Sequence, residues 1–164
     1  MISMRTIGLE KTLKSLAKKI RDIRLYNRKG LIKAGLFIQA EAQRRTPVLT
    51  GNLRASAFTV WNRSEGKNKQ PRFKDATPDG KKIDTEKLSS EHAAAVAEAS
   101  GRVAGSTDID PEVMVGFSAA YALPVHEVTE AKHTVGQAKF LQSAIAENQD
   151  AIVKIISKEV KGTL

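Results

Sequence analysis

His126, Glu127 and His133 place two imidazoles and a carboxylate within one short stretch, the densest gathering of reactive side chains in the 164 residues. A zinc site of the His-Glu-x-x-His kind needs its histidines four apart, on one helix face. Here they are seven apart. His92 stands in an alanine-rich polar segment with no partner beside it in sequence. Gly51 is a solitary turn glycine and lacks the flanking glycines and Gly-Lys-Ser/Thr ending of a phosphate loop. Among the acids only Glu127 has a notably apolar setting, where a raised pKa would suit a general acid. Pairing with an arginine is the plainer expectation for it. Cysteine is absent, which excludes disulfides, thiolate nucleophiles and cysteine-ligated zinc or iron–sulfur centres. The expectation is a non-enzyme with no catalytic residues, no cofactor and no metal.

The charge pattern is more informative than the chemistry. Net charge is +9, and residues 1–35 hold ten Lys or Arg against two acids, a local +8. Lys11, Lys14, Lys18, Lys19, Arg21, Arg24 and Arg28 form the candidate contact face. Such a stripe attracts nucleic-acid phosphates or an acidic protein surface, and it also describes an ordinary solvated helix face. Only Tyr26 supplies a ring there, unlike the interleaved aromatics of single-strand or RNA binders. Non-specific duplex binding needs phosphate contacts alone and stays open.

The elements that must position these residues follow from periodicity. Leu13, Leu16, Ala17, Ile20 and Ile23 recur every three or four residues and predict an amphipathic helix from about Leu9 to Tyr26. Asn27 to Gly30 predicts a kink or break. Leu31 to Ala40 predicts a second helix, buried on more than one side and stopped by Pro47. Leu53 to Asn62 alternates imperfectly and predicts a first strand; Val113 to Phe117 predicts another. The polar stretch 63–111 is expected to be a long insertion between them, a hairpin arm outside the core. It would carry a helix over Thr85 to Ser100, with Thr85 as its N-cap. Ser118 to Val128 predicts a short helix. One last helix of about six turns is expected from near Gln137. The fold class is α+β, as a single domain. The opening residues lack the apolar run of a secretory signal, and no stretch is long enough for a membrane span. A soluble protein without membrane partners is expected.

Three passages carry a resemblance. The first is Arg45-Thr46-Pro47-Val48-Leu49-Thr50-Gly51-Asn52-Leu53-Arg54-Ala55-Ser56, the second Val115-Gly116 through Tyr121-Ala122-Leu123-Pro124-Val125-His126-Glu127. The third is His133 with Gly136-Gln137-Ala138-Lys139-Phe140-Leu141. In order and kind they resemble the signature segments of tailed-bacteriophage neck proteins, also called tail-completion or minor tail proteins. Two features depart from that pattern: Val128-Thr129 replaces a usual Gly-Thr, and 63–111 is longer than the usual inter-strand loop. The resemblance implies a virion protein made in the host cytoplasm, a homo-oligomeric ring, sixfold in the family, at the head–tail interface. Such a ring would adjoin a head-side connector or adaptor and a tail terminator or tail tube protein, around a DNA channel. Arg54 and Glu127, each a charge among small or apolar neighbours, are expected to pair within or between protomers.

Overall fold

A computed structural model describes residues 9–62, 71–107, 110–130 and 133–161, with side chains in the first helix from Leu13 onward. That helix, α1, runs unbroken from Leu9 to Arg45. At 1.5 Å per residue its 37 residues span about 55 Å. The expected interruption at Asn27–Gly30 does not occur. Gly30 is buried there because α6 crosses it, and a Cβ would stand 2.9 Å from the Ile156 Cα. The glycine therefore serves close helix packing and does not end a helix. Thr46 closes α1 with its amide and hydroxyl on the Ala42 carbonyl, at 2.9 and 2.7 Å, and Pro47 has no amide to continue it.

Gly51, at φ 90°, adopts the left-handed conformation that glycine takes without steric penalty and opens a single helical turn, α2, Asn52–Ala55. Ser56 locks the turn by donating its hydroxyl to the Leu53 carbonyl at 2.8 Å. The first strand, β1, is consequently Ala57–Trp61 and does not start at Leu53. It pairs antiparallel with β2, Val113–Phe117, in the register Ala57 to Phe117 through Trp61 to Val113. These two strands are the only sheet among the described residues.

Both faces of this ribbon are covered, which explains the imperfect alternation: either parity must be apolar or small. α1 lies on the face of Thr59, Val113 and Val115, where Gly35 admits them closely. On the other face lies α3, Thr85–Val103, whose Ala99 and Val103 pack on Phe58 and Val60. The expectation that 63–111 stands outside the core is thus overturned for its helical part, since α3 buries Leu88, His92, Ala99 and Val103. A two-stranded sheet with two apolar faces needs a second cover, and α3 is that cover. Asp84, not Thr85, is the N-cap and accepts from the Lys87 amide at 2.8 Å. Arg63 to Gln70 lies outside the described residues.

Beyond β2 come α4 (Ala122–Glu127), α5 (Phe140–Ala146) and α6 (Gln149–Lys161). The expected single C-terminal helix is two, divided at Glu147–Asn148. There the Asn148 side chain donates to the Ala144 carbonyl at 2.9 Å, an asparagine competing with helical hydrogen bonding. Both pieces flank the C-terminal half of α1, tied by Arg45–Glu147 (2.9 Å) and Lys33–Glu159 (2.6 Å). That half of α1 is buried from two directions, by sheet and helices, although Leu36 stays about half exposed.

Candidate functional site

The three motif passages meet at the C-terminal end of α1. The third passage is stitched to the first by Val48 N–H on the Val135 carbonyl (3.3 Å) and Gln137 N–H on the Arg45 carbonyl (2.8 Å). It is tied to the second by Lys139 N–H on the His126 carbonyl (2.7 Å). Gly136 is a requirement of this junction. It sits at φ +85°, and a Cβ there would lie 2.5 Å from the Pro47 nitrogen.

Beneath the junction is a small core of Leu53, Ala119, Ala122 and Phe140, with Phe117, Val125 and Leu141 packed on it. The Phe140 ring meets the edges or faces of Phe117 and His126 at centroid distances of 4.9 and 4.8 Å. Gly116 belongs to the other face of the sheet, where the Phe58 ring occupies the space of a side chain. Above the core the surface opens into an apolar groove of about 520 Å³. Pro47, Thr50, Gly51, Leu53, Tyr121 and Val125 line it, joined by Ile83 and Leu88 from the α3 side and by His133 to Val135. Leu49, three-quarters exposed, stands on its rim with Val48 and Val135.

Among the described residues no ion pair joins Arg54 to Glu127 within the protomer. Glu127 instead pairs with the Lys139 ammonium and with His126 Nδ1. These partners hold its carboxyl below the ordinary carboxylate range, Lys139 first, the opposite of the shift a general acid would need. Arg54 lies against the end of α1, with Nη2 3.4 Å from the Thr46 carbonyl and its buried Nε unpartnered. Glu127 is half exposed at the surface, so the apolar neighbours in its sequence do not enclose it.

Two buried polar residues at the edges of the site gave no strong sequence signal. Asn52 looked like a turn residue, yet it bonds both backbone groups of Lys74, receiving from its amide at 2.7 Å and donating to its carbonyl at 2.9 Å. His92 is buried, with Nδ1 2.9 Å from the Ser118 hydroxyl and its ring edge-on to Phe58 and Phe73. Burial lowers its pKa. Burial and the charge of Glu91 raise that of Tyr121. Among the described residues no three His, Asp or Glu side chains converge as a metal site. No described helix is long and apolar enough to cross a membrane.

The basic face is at the far end of α1. Lys14, Lys18, Lys19, Arg21 and Arg24 are exposed; Arg28 is half-buried and donates to the Asn62 carbonyl. The Lys11 side chain lies outside the described residues. From Leu13 to Leu25 every side chain except Asp22 is exposed, including Leu13, Leu16, Ile20 and Ile23. This half of α1 projects from the body of the molecule. No family model, curated protein or solved structure matches the chain.

Proposed function

We propose that the protein is a structural component of a tailed-phage head–tail connector, a neck or tail-completion protein that assembles into a homo-oligomeric ring. In that role it would sit between a head-side adaptor and a tail terminator or tail tube protein, around the channel through which DNA passes. One observation supports this above the others. The passages that resemble the family, separated by some sixty residues of chain, come together as one junction and one apolar groove. Most of their side chains are apolar, small or conformationally special, which suits them to fixing a surface. A ring of identical subunits repeats one contact between two different faces, and this molecule has an exposed apolar face at each end of α1. Electron microscopy of the purified protein, and of particles containing it, tests the reading: rings of uniform copy number at the neck are expected. A protein that stays monomeric and is missing from particles would overturn it.

The exposed basic half of α1 favours a second reading, a small protein that binds duplex DNA through phosphate contacts. Filter binding across a salt series separates the two. Monomer binding whose log affinity falls linearly with log salt would favour DNA as the primary partner; absence of duplex affinity leaves the connector reading alone.

A further inference from the structure

The two apolar surfaces at opposite ends of α1 are a ridge and a groove. Leu13, Leu16, Ile20 and Ile23 form a ridge at spacings of three, four and three, the pattern by which a helix enters a groove. All four are exposed, from about half at Leu13 and Leu16 to just over a third at Ile23. The groove at Pro47–Leu53 is concave, apolar and open, with Leu49 and Tyr121 still solvent-facing. We propose that the N-terminal half of α1 from one copy seats in this groove on the next copy, so that every chain donates a helix and receives one. The proposal deepens the ring reading and rests on it for closure of the series.

Three observations select a second copy as the occupant. The first is reach. Ile23 and Pro47 are separated by 24 residues, nearly all in continuous helix, or about 36 Å. A straight helix cannot bring its own start to its own end, so a ridge seated in this groove comes from another molecule. The second is charge. Lys14, Lys18, Lys19, Arg21 and Arg24 flank the ridge, with Asp22 the sole acid among them. Beside the groove, the first turns of α3 carry Asp84, Glu86 and Glu91 around the single base Lys87; α4 and its exit add Glu130 and Glu127, the latter already paired with Lys139. The segment before α3, 71–82, which adds Thr77 to the lining, holds Arg72, Lys74, Lys81 and Lys82 against Asp75 and Asp79. The acids at the start of α3 are therefore the part of the groove surround that complements an incoming basic helix. The third is symmetry. Ridge and groove are different surfaces of one chain, so their contact is heterologous and repeats from copy to copy until it closes.

The test uses the full chain and two exposed substitutions, Ile20→Asp on the ridge and Leu49→Asp on the groove rim. Native mass spectrometry and light scattering read the assembly, and circular dichroism checks that helix content is unchanged. Each variant alone is expected to raise the assembly midpoint at least about 30-fold, the effect of losing an interface anchor. Mixed in equal amounts they are expected to form a heterodimer and stop. The intact ridge of the Leu49→Asp chain meets the intact groove of the Ile20→Asp chain, and no further contact remains. If both variants are monomeric and the mixture is too, the ridge pairs with something other than this groove and the proposal falls. If either variant assembles like the natural sequence, the seam lies elsewhere while the ring reading survives. A natural sequence that never associates removes both.

Discussion

Asn52 is almost wholly buried, and its amide group holds the Lys74 backbone by donor and acceptor together, anchoring the 71–83 loop beside the groove. Replacement by leucine keeps the volume but removes both bonds. It is expected to cost about 2 kcal/mol, visible as a lower urea midpoint at unchanged slope. Trypsin should also cut faster at Arg72 and Lys74. His92 supplies a pH dependence. Its folded pKa lies below the ordinary value near 6.5, so the unfolded chain binds the proton more readily. Stability is then complete above the unfolded pKa and declines as pH falls through it toward the folded value. Thermal melts from pH 8 to pH 5 should show this decline, and His92→Gln should flatten it. Glu127 acts in a separate, lower window. Its folded pKa is depressed, so its contribution is present above the unfolded carboxylate pKa and is lost on further acidification. At this scale the sequence was legible where a residue type has one use, as with Pro47 stopping a helix. It was not legible for the partner of Glu127 within the protomer, which depended on which charge lay nearest in space. Within the protomer Lys139, brought beside Glu127 by the turn before α5, takes the place of Arg54.

Elements were legible from periodicity and misjudged where one residue type serves two purposes. Asn27–Gly30 has the composition of a break, but Gly30 is the crossing point of α6, and the helix runs on through it. Conversely, Ile145 and Ile152 suggested a continuous helix across Asn148, whose side chain divides it. Residues 85–103 looked polar because the packed stripe of α3 includes Ala95, Ala99 and His92, and small or polar side chains give a weak hydrophobic signal. Two glycines should therefore respond oppositely to the same change. At Gly30 the higher helix propensity of alanine is outweighed by the 2.9 Å approach to the Ile156 backbone, and Gly30→Ala is expected to destabilise by about 1–3 kcal/mol. At Gly101, in α3, nothing lies within 4 Å of the added methyl, and Gly101→Ala is expected to stabilise by about 0.5 kcal/mol. Paired denaturation curves of the two variants check the signs.

For the whole molecule, the division of labour along α1 decides how folding and assembly respond to conditions. Its C-terminal half is held by sheet, α5 and α6, whereas the half before Tyr26 contributes little buried surface to the fold. Salt should consequently act on association far more than on stability. Screening lengths shrink from about 10 Å at 0.1 M to about 3 Å at 1 M, which weakens attraction between the lysine-rich helix and an acidic surface. Exposed pairs such as Arg102–Glu98 add little to folding at any salt concentration. The expected result is an assembly midpoint that rises steeply between about 0.1 M and 1 M sodium chloride, while the melting temperature changes little. Neutralising Lys18 and Lys19 together, as Lys18→Gln with Lys19→Gln, should weaken assembly at low salt and flatten that slope. A slope unchanged by the double substitution would assign the electrostatic contribution to other bases. An assembly indifferent to salt would assign the seam to the apolar ridge alone, because contacts between Ile20 or Leu16 and an apolar groove are not screened.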